Sequence, residues 1–179
     1  VVPARDGSKG FPGKNFRQFN KKPLFLHAIY QALRTCDCCI FSSDNSDALT
    51  KAENIKNVYT HERAVHLAGD DSPIDATLLD IIECFNLKNR SLIILQPTAP
   101  LRLDTSINKA IDKFNGRKFD LVMGVTETKS SVLKYGFVTN DEFNPVSDPK
   151  YCFSNRQVLP TVFRPNGSIF VFNSNWHIS

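Results

Sequence analysis

Residues 1–15 read Val1-Val2-Pro3-Ala4-Arg5-Asp6-Gly7-Ser8-Lys9-Gly10-Phe11-Pro12-Gly13-Lys14-Asn15. Val1 to Ala4 has the character of the end of a buried strand, and it runs into a loop with three glycines and three cations. A loop of that kind directly after a strand is suited to phosphate. Glycines let backbone N–H groups approach anionic oxygens, and Arg5, Lys9 and Lys14 offset their charge. The loop is not a P-loop: aligned on Gly13-Lys14, that motif needs Gly where Ser8 stands and Ser or Thr where Asn15 stands. Nor is it the dinucleotide fingerprint, because Gly7, Gly10 and Gly13 are spaced by threes. The remaining alternative is a solvated basic loop without function.

Working outward, apolar strands and amphipathic helices alternate. Pro23 opens a helical pattern carried by Leu24, His27, Ala28, Gln31 and Ala32, with proline suited to a first helical turn. Cys39 to Ser43 is a short apolar strand, and Ser43-Asp44-Asn45 a turn and helix cap before a helix from about Ser46 to Asn54. Val58-Tyr59-Thr60 is a brief strand, with His61 and His66 in the loop beyond it. Ser72 as cap and Pro73 as first residue introduce a helix with Ile74, Thr77, Leu78, Ile81, Ile82 and Phe85 on one face. Ser91 to Leu95 is a wholly apolar strand ending in Gln96-Pro97-Thr98-Ala99-Pro100-Leu101-Arg102, where two prolines stop either element from continuing. A helix over Asp104 to Phe114 and a strand over Phe119 to Val125 follow. This order predicts an α/β fold with a doubly wound, mostly parallel sheet, whose ligands bind outside the carboxyl ends of the strands. From Lys129 to Val162 the periodicity fails, which predicts an insertion or small subdomain.

The bulk numbers fit this picture. A chain of 179 residues, 41% hydrophobic and 22% charged, can build one domain with a real core. A net charge of +4 suits a small anionic substrate and, without a basic stripe, argues against nucleic acid. No apolar run approaches the length of a membrane span, so the expectation is a cytoplasmic protein without a membrane segment. Cys36, Cys38 and Cys39 lack a second Cys/His pair at zinc spacing and read as reduced thiols. Both ends read as cut, since the chain opens inside an apolar run without Met and stops soon after the run Ser168 to Phe172.

The pattern Ala4-Arg5-x-x-Ser8-Lys9-Gly10-x-Pro12-x-Lys14-Asn15 resembles the signature loop of the N-acylneuraminate cytidylyltransferases, or CMP-sialic acid synthetases. Three further segments agree in order: Arg63 with Leu67-Ala68-Gly69-Asp70, then Gln96 to Arg102, then Arg156-Gln157 with Phe163-Arg164-Pro165-Asn166-Gly167. Lys9 and Asn15 set the loop apart from the similar 3-deoxy-manno-octulosonate cytidylyltransferases.

The resemblance implies a Rossmann-like nucleotidyltransferase domain over 1–179, with 129–162 as a dimerisation arm in a homodimer. It implies transfer of CMP from CTP to the anomeric hydroxyl of a sialic-acid-like nonulosonate, with release of pyrophosphate. Pseudaminate, legionaminate and related sugar acids are equally open, and a non-catalytic nucleotide-binding remnant is the alternative from another class. The resemblance makes Arg5 and Lys14 catalytic, places Ala4, Arg5, Ser8, Lys14, Asn15 and Arg63 on the nucleotide, and places Gln96, Arg156, Gln157 and Asn166 on the sugar acid. Taken alone, Arg63 and Arg156 read equally as surface residues, Gln96 as a turn residue, and Asn166-Gly167 as a tight turn. Magnesium is implied as cofactor, but the family's Asp-x-Asp ligands fall beyond the Arg-Pro-Asn-Gly segment, and none stands in this chain.

Overall fold

The protein is described here from a computed structural model, which covers residues 1–7, 11–69, 72–116 and 118–176. In chain order the elements are β1 (Val2–Pro3), β2 (Gln18–Phe19), β3 (Lys22–Pro23), α1 (Leu24–Thr35), β4 (Cys39–Ser43), α2 (Ser46–Glu53), β5 (Val58–Glu62) and α3 (Val65–Ala68). They continue as α4 (Ile74–Cys84), β6 (Ser91–Leu95), α5 (Asp104–Asn115), β7 (Leu121–Thr128), β8 (Gly136–Thr139), β9 (Glu142–Pro145), α6 (Lys150–Phe153) and β10 (Val162–Asn173). Two compact units result: Val1–Gly124 with Gly167–Ser179, and Val125–Asn166.

In the first unit, β1 pairs parallel with β4 and β4 parallel with β5. β1 also meets β6: Val1 donates to Ile93 O and accepts from Leu95 N, the slanted pattern of a parallel pair. β10 then pairs antiparallel with β6 and separates it from β7. The sheet is therefore mostly parallel with one reversed strand.

Side chains alternate across a strand, so a run such as Ser91–Leu95 must be covered on both faces. It is. Leu95, Ile169 and Val171 join a core with Phe25, Ala28 and Ile29 of α1, Ala48 and Ala52 of α2, and Ile107 of α5. Leu92, Ile94 and Phe172 join a second core with Leu78 of α4. Phe25 stacks on Phe41 with ring centroids 4.9 Å apart, pinning α1 to β4. Asn45 caps α2 as expected, its Oδ1 accepting from Ala48 N at 2.9 Å.

Several expectations need correction. Pro23 and Pro73 are not first helical residues; both sit in the extended N-cap position, where φ near −60° serves equally well. Ser72 does not cap α4, because its hydroxyl donates to His66 O at 2.7 Å and so ties α3 to the loop. The strand expected over Phe119 to Val125 begins at Leu121 and runs to Thr128. A two-residue hairpin, β2–β3, stands in the basic loop; its turn residues Asn20 and Lys21 both have positive φ, as a type I′ turn requires. Asn166-Gly167 is no tight turn but lies inside β10.

The second unit encloses the stretch that lacked periodicity. Its hairpin β8–β9 turns at Asn140 and Asp141, again with positive φ at both. The strands are short and mostly exposed, so no buried face imprints an alternating pattern on the sequence. Lys134 Nζ donates to Ser154 O at 2.6 Å and Ser130 Oγ to Pro160 O at 2.8 Å, fastening the unit internally.

Candidate active site

Three parallel strands deliver residues just past their carboxyl ends to one place. Arg5 follows β1, Arg63 follows β5 and Gln96 follows β6. Together with Lys14 and Asn15 they line a cleft of about 220 Å³, whose walls also include Ser72, Thr77 and Thr98. A ligand site outside the carboxyl ends of the strands is what this topology dictates.

The loop after β1 is held in shape by its own polar groups. Gly13 adopts φ +62°, a left-handed conformation that starts the turn carrying Lys14 and Asn15. Asn15 is buried and donates from Nδ2 to Arg5 O at 2.9 Å, closing the loop across ten residues. Its amide thus fixes Arg5 as well as facing the cleft. Arg5 Nη1 donates to Gly69 O at 2.7 Å. Ala4 is fully buried, with its N–H given to Ser42 O and its carbonyl accepting from Ser43 Oγ. Ala4 therefore places Arg5 and does not offer a donor of its own. Ser8, expected on the nucleotide, lies outside the described residues.

Lys14 makes no side-chain hydrogen bond or ion pair among the described residues, so its charge is available to the cleft. Arg63 is only 6% exposed. Burial makes its charge harder to keep and lowers its pKa; Asp44 counteracts this, and neighbouring Arg5 adds to it. Three cations converging on one cleft favour an anionic ligand.

The Gln96 loop is anchored by a residue to which the sequence reading gave no role. Arg102 Nη2 donates to Gln96 O at 2.6 Å, and Nη1 to Gln31 Oε1 at 2.7 Å. Gln31, on α1, returns hydrogen bonds to Pro100 O and Arg102 O. Burial lowers the Arg102 pKa to about 10. A buried glutamine on a helix face was the available signal, since such an amide must find partners.

Arg156, Gln157 and Asn166 stand in the second unit. Arg156 borders an open hollow with Glu127, Thr128, Lys129 and Ser130. Gln157 is exposed in the same short turn, and Asn166 Nδ2 donates to Thr126 Oγ1 at 3.2 Å.

No carboxylate occurs among the described residues lining the cleft, so the lining does not fit magnesium. Asp44 and Asp6 are engaged nearby, Asp44 Oδ1 accepting from Asp6 N and Asp6 Oδ2 from Asn45 Nδ2. The trio of metal-capable side chains that does gather among the described residues, His61, Asp80 and Cys84, is not part of that lining. His61 itself is not in a loop: β5 continues through it because Ser42 pairs with His61 and Ser43 with Glu62. His66 is in α3.

Comparison with known proteins settles the family. The family model described as Cytidylyltransferase matches residues 1–164. The chain belongs to the cytidylyltransferase family. It is 30% identical to the CMP-N,N'-diacetyllegionaminic acid synthase of Legionella pneumophila, over 96% of this chain and 75% of that protein. It is 26% identical to an N-acylneuraminate cytidylyltransferase of Streptococcus agalactiae, over 99% of this chain but 44% of that protein. A pseudaminic acid cytidylyltransferase of Campylobacter jejuni is 25% identical over 95% and 75% of the two chains. Among solved structures, CMP:2-keto-3-deoxy-manno-octonic acid synthetase complexed with CTP superposes with a TM-score of 0.69 at 14% identity, covering 97% of this chain and 73% of that one. That likeness shows a shared Rossmann-like nucleotidyltransferase fold. This chain is thus a nucleotidyltransferase of the cytidylyltransferase family.

Proposed function

We propose that the cleft holds CTP and a nonulosonate sugar acid, and that Arg5, Lys14 and Arg63 hold the triphosphate while Gln96 faces the sugar. The observation that carries this is the convergence of three cations with Gln96 at the carboxyl ends of β1, β5 and β6. The anomeric hydroxyl oxygen attacks the α-phosphorus of CTP, forming the new P–O bond. The bond from that phosphorus to the bridging oxygen of the β-phosphate breaks, pyrophosphate leaves, and the hydroxyl proton passes to solvent. Negative charge grows on the departing oxygen and on the phosphoryl oxygens. Arg5 and Lys14, as fixed cations, answer that charge without reorganising and so stabilise the transition state more than the bound substrate, whereas Arg63 contributes to binding of the nucleotide. Positioning and electrostatics are the main contributions a protein makes to phosphoryl-type transfer.

Release of pyrophosphate from CTP, in the presence of magnesium and a panel of nonulosonates, tests this against ATP, GTP and UTP. CTP with one of the sugar acids should dominate. Turnover with GTP equal to that with CTP would overturn the nucleotide assignment, and no turnover with any sugar acid would favour the non-catalytic remnant.

The same reading extends to assembly. The second unit exposes Tyr135, Phe137, Phe143, Phe153 and Phe163, a density of aromatic surface that suits an interface with a second copy of this chain. A homodimer joined through 129–162, with Arg156 serving the partner's sugar pocket, is the corresponding proposal. A cytoplasmic setting belongs to the same proposal; no described helix is long and apolar enough to cross a membrane.

A further inference from the structure

Ser42, His61 and Arg63 are polar, adjacent and nearly inaccessible, at 0%, 5% and 6% exposure. Their proximity follows from register. Ser42 is the β4 partner of His61, and Arg63 lies two residues beyond His61 on the same side of the chain. Arg63 Nε and Nη2 each reach Ser42 Oγ at 3.4 Å, and Nη2 reaches Ser42 O at 3.5 Å. His61 Nδ1 lies 3.0 Å from the same Oγ, and Nε2 lies 3.0 Å from Asp80 Oδ2 on α4.

One proton arrangement satisfies all of these contacts. A guanidinium only donates, so Ser42 Oγ accepts from Arg63 and gives its own proton to His61 Nδ1. His61 Nε2 then carries the imidazole proton and donates it to the Asp80 carboxylate. The oxygen lone pairs of Ser42 are thereby turned to the guanidinium, and an anion closes the far end of the chain. Ser42 is wholly buried, so this Ser–His–Asp series cannot present a nucleophile. We propose that Asp80, His61 and Ser42 form a positioning chain that orients Arg63 in the nucleotide cleft, acting on CTP binding from behind the cleft wall. None of the three lines the cleft. The long Arg63–Ser42 distances lie at the weak end of hydrogen bonding, so orientation of the hydroxyl matters more than the strength of any one bond.

The inference rests on assigning the cleft to CTP, and the experiment separates the two. Asp80 is partly exposed, which makes it the position to vary. Asp80→Leu should raise KM for CTP five- to tenfold with kcat within twofold. Asp80→Asn, which keeps an oxygen for the Nε2 proton, should restore most of the loss. In an Arg63→Ala background Asp80→Leu should add nothing further. If Arg63→Ala leaves KM for CTP unchanged, the cleft assignment falls and the inference with it. If Arg63→Ala raises KM and Asp80→Leu does not, or if Asp80→Leu adds its full effect without Arg63, the inference alone is overturned. Nitrogen-15 NMR of the unmodified protein at pH 8 gives an independent reading that needs no variant. His61 should carry its proton on Nε2, and the Nδ1–H tautomer would overturn the chain.

Discussion

Gly167 lies directly beneath the side chain of Gln96: a Cβ built on it would stand 3.0 Å from Gln96 Oε1. Its φ of +71° is one that L residues rarely adopt, so β10 carries a left-handed residue exactly where it faces the end of β6. Gly167→Ala should therefore act twice. The left-handed backbone costs about 1–2 kcal/mol for a residue with a Cβ, and the methyl displaces the amide of Gln96. The expected outcome is a melting point lower by several degrees and a raised KM for the sugar acid, with KM for CTP little changed. Equal changes in both KM values would point to a general loosening of the cleft.

Lys14→Ala removes the cation that has no partner among the described side chains. Because Lys14 packs against nothing that depends on its charge, the melting curve should hold. Turnover should fall by the amount typical of one lost preorganised transition-state contact, about 3–4 kcal/mol or two to three orders of magnitude in kcat. Near-normal kcat would remove Lys14 from the chemistry.

The parts of the fold legible in the sequence are those buried on both faces. Cys39–Ser43 and Ser91–Leu95 were read to the residue, because continuous apolar runs bounded by polar turns leave little freedom in register. Arg5, Lys14, Asn15, Arg63 and Gln96 were legible as candidates through the family resemblance, and the structure brings all five to one cleft. What stayed hidden depends on partners distant in sequence. The reversal of β10 leaves no mark on its own apolar pattern. His61 looked like a loop residue because polar His and Glu end β5, and only pairing with β4 makes them strand. Ser72 has the composition of a cap, yet its hydroxyl is drawn to His66 O by the turn of α3. Arg102 was quoted without a role, because the Gln31 that holds it is 71 residues away.

Arg34 and Asp104 form a two-point ion pair between α1 and α5, at 2.6 and 3.0 Å. The hydrogen bonds from Arg34 hold the Asp104 carboxyl below its ordinary pKa. A carboxyl lowered in the folded state stabilises fully above its unfolded pKa of about 3.9 and loses that contribution as pH falls through the folded value. Both groups are substantially exposed, so solvent screening limits the pair to about 0.2–1 kcal/mol. Asp104→Asn should lower the melting point by a few degrees or less at pH 7, and the gap to the unmodified protein should close as pH falls through the lowered carboxyl pKa. A gap that persists in acid would assign the effect to helix α5 itself and not to ionisation.

Phe137 and Phe153 decide whether the second unit is an interface. Phe153 is 94% exposed and Phe137 71%, so neither contributes to a core that a substitution could empty. Replacing an exposed phenylalanine by glutamate should leave a monomer's melting curve nearly unchanged. At an interface the same change buries an unpaired carboxylate, which is expensive, and removes aromatic area that would otherwise leave water. Phe137→Glu with Phe153→Glu should raise the dimer dissociation constant at least tenfold, about 1.4 kcal/mol, as read by light scattering over a dilution series. Arg156→Ala then separates interface from shared chemistry. Mixed dimers of Arg156→Ala with Lys14→Ala should regain up to a quarter of the unmodified kcat if Arg156 serves its partner's pocket, because half of the dimers are mixed and one of their two sites is intact. Recovery absent in mixed dimers would confine Arg156 to its own chain, and an unmodified protein that is monomeric and fully active at nanomolar concentration would remove the dimer altogether.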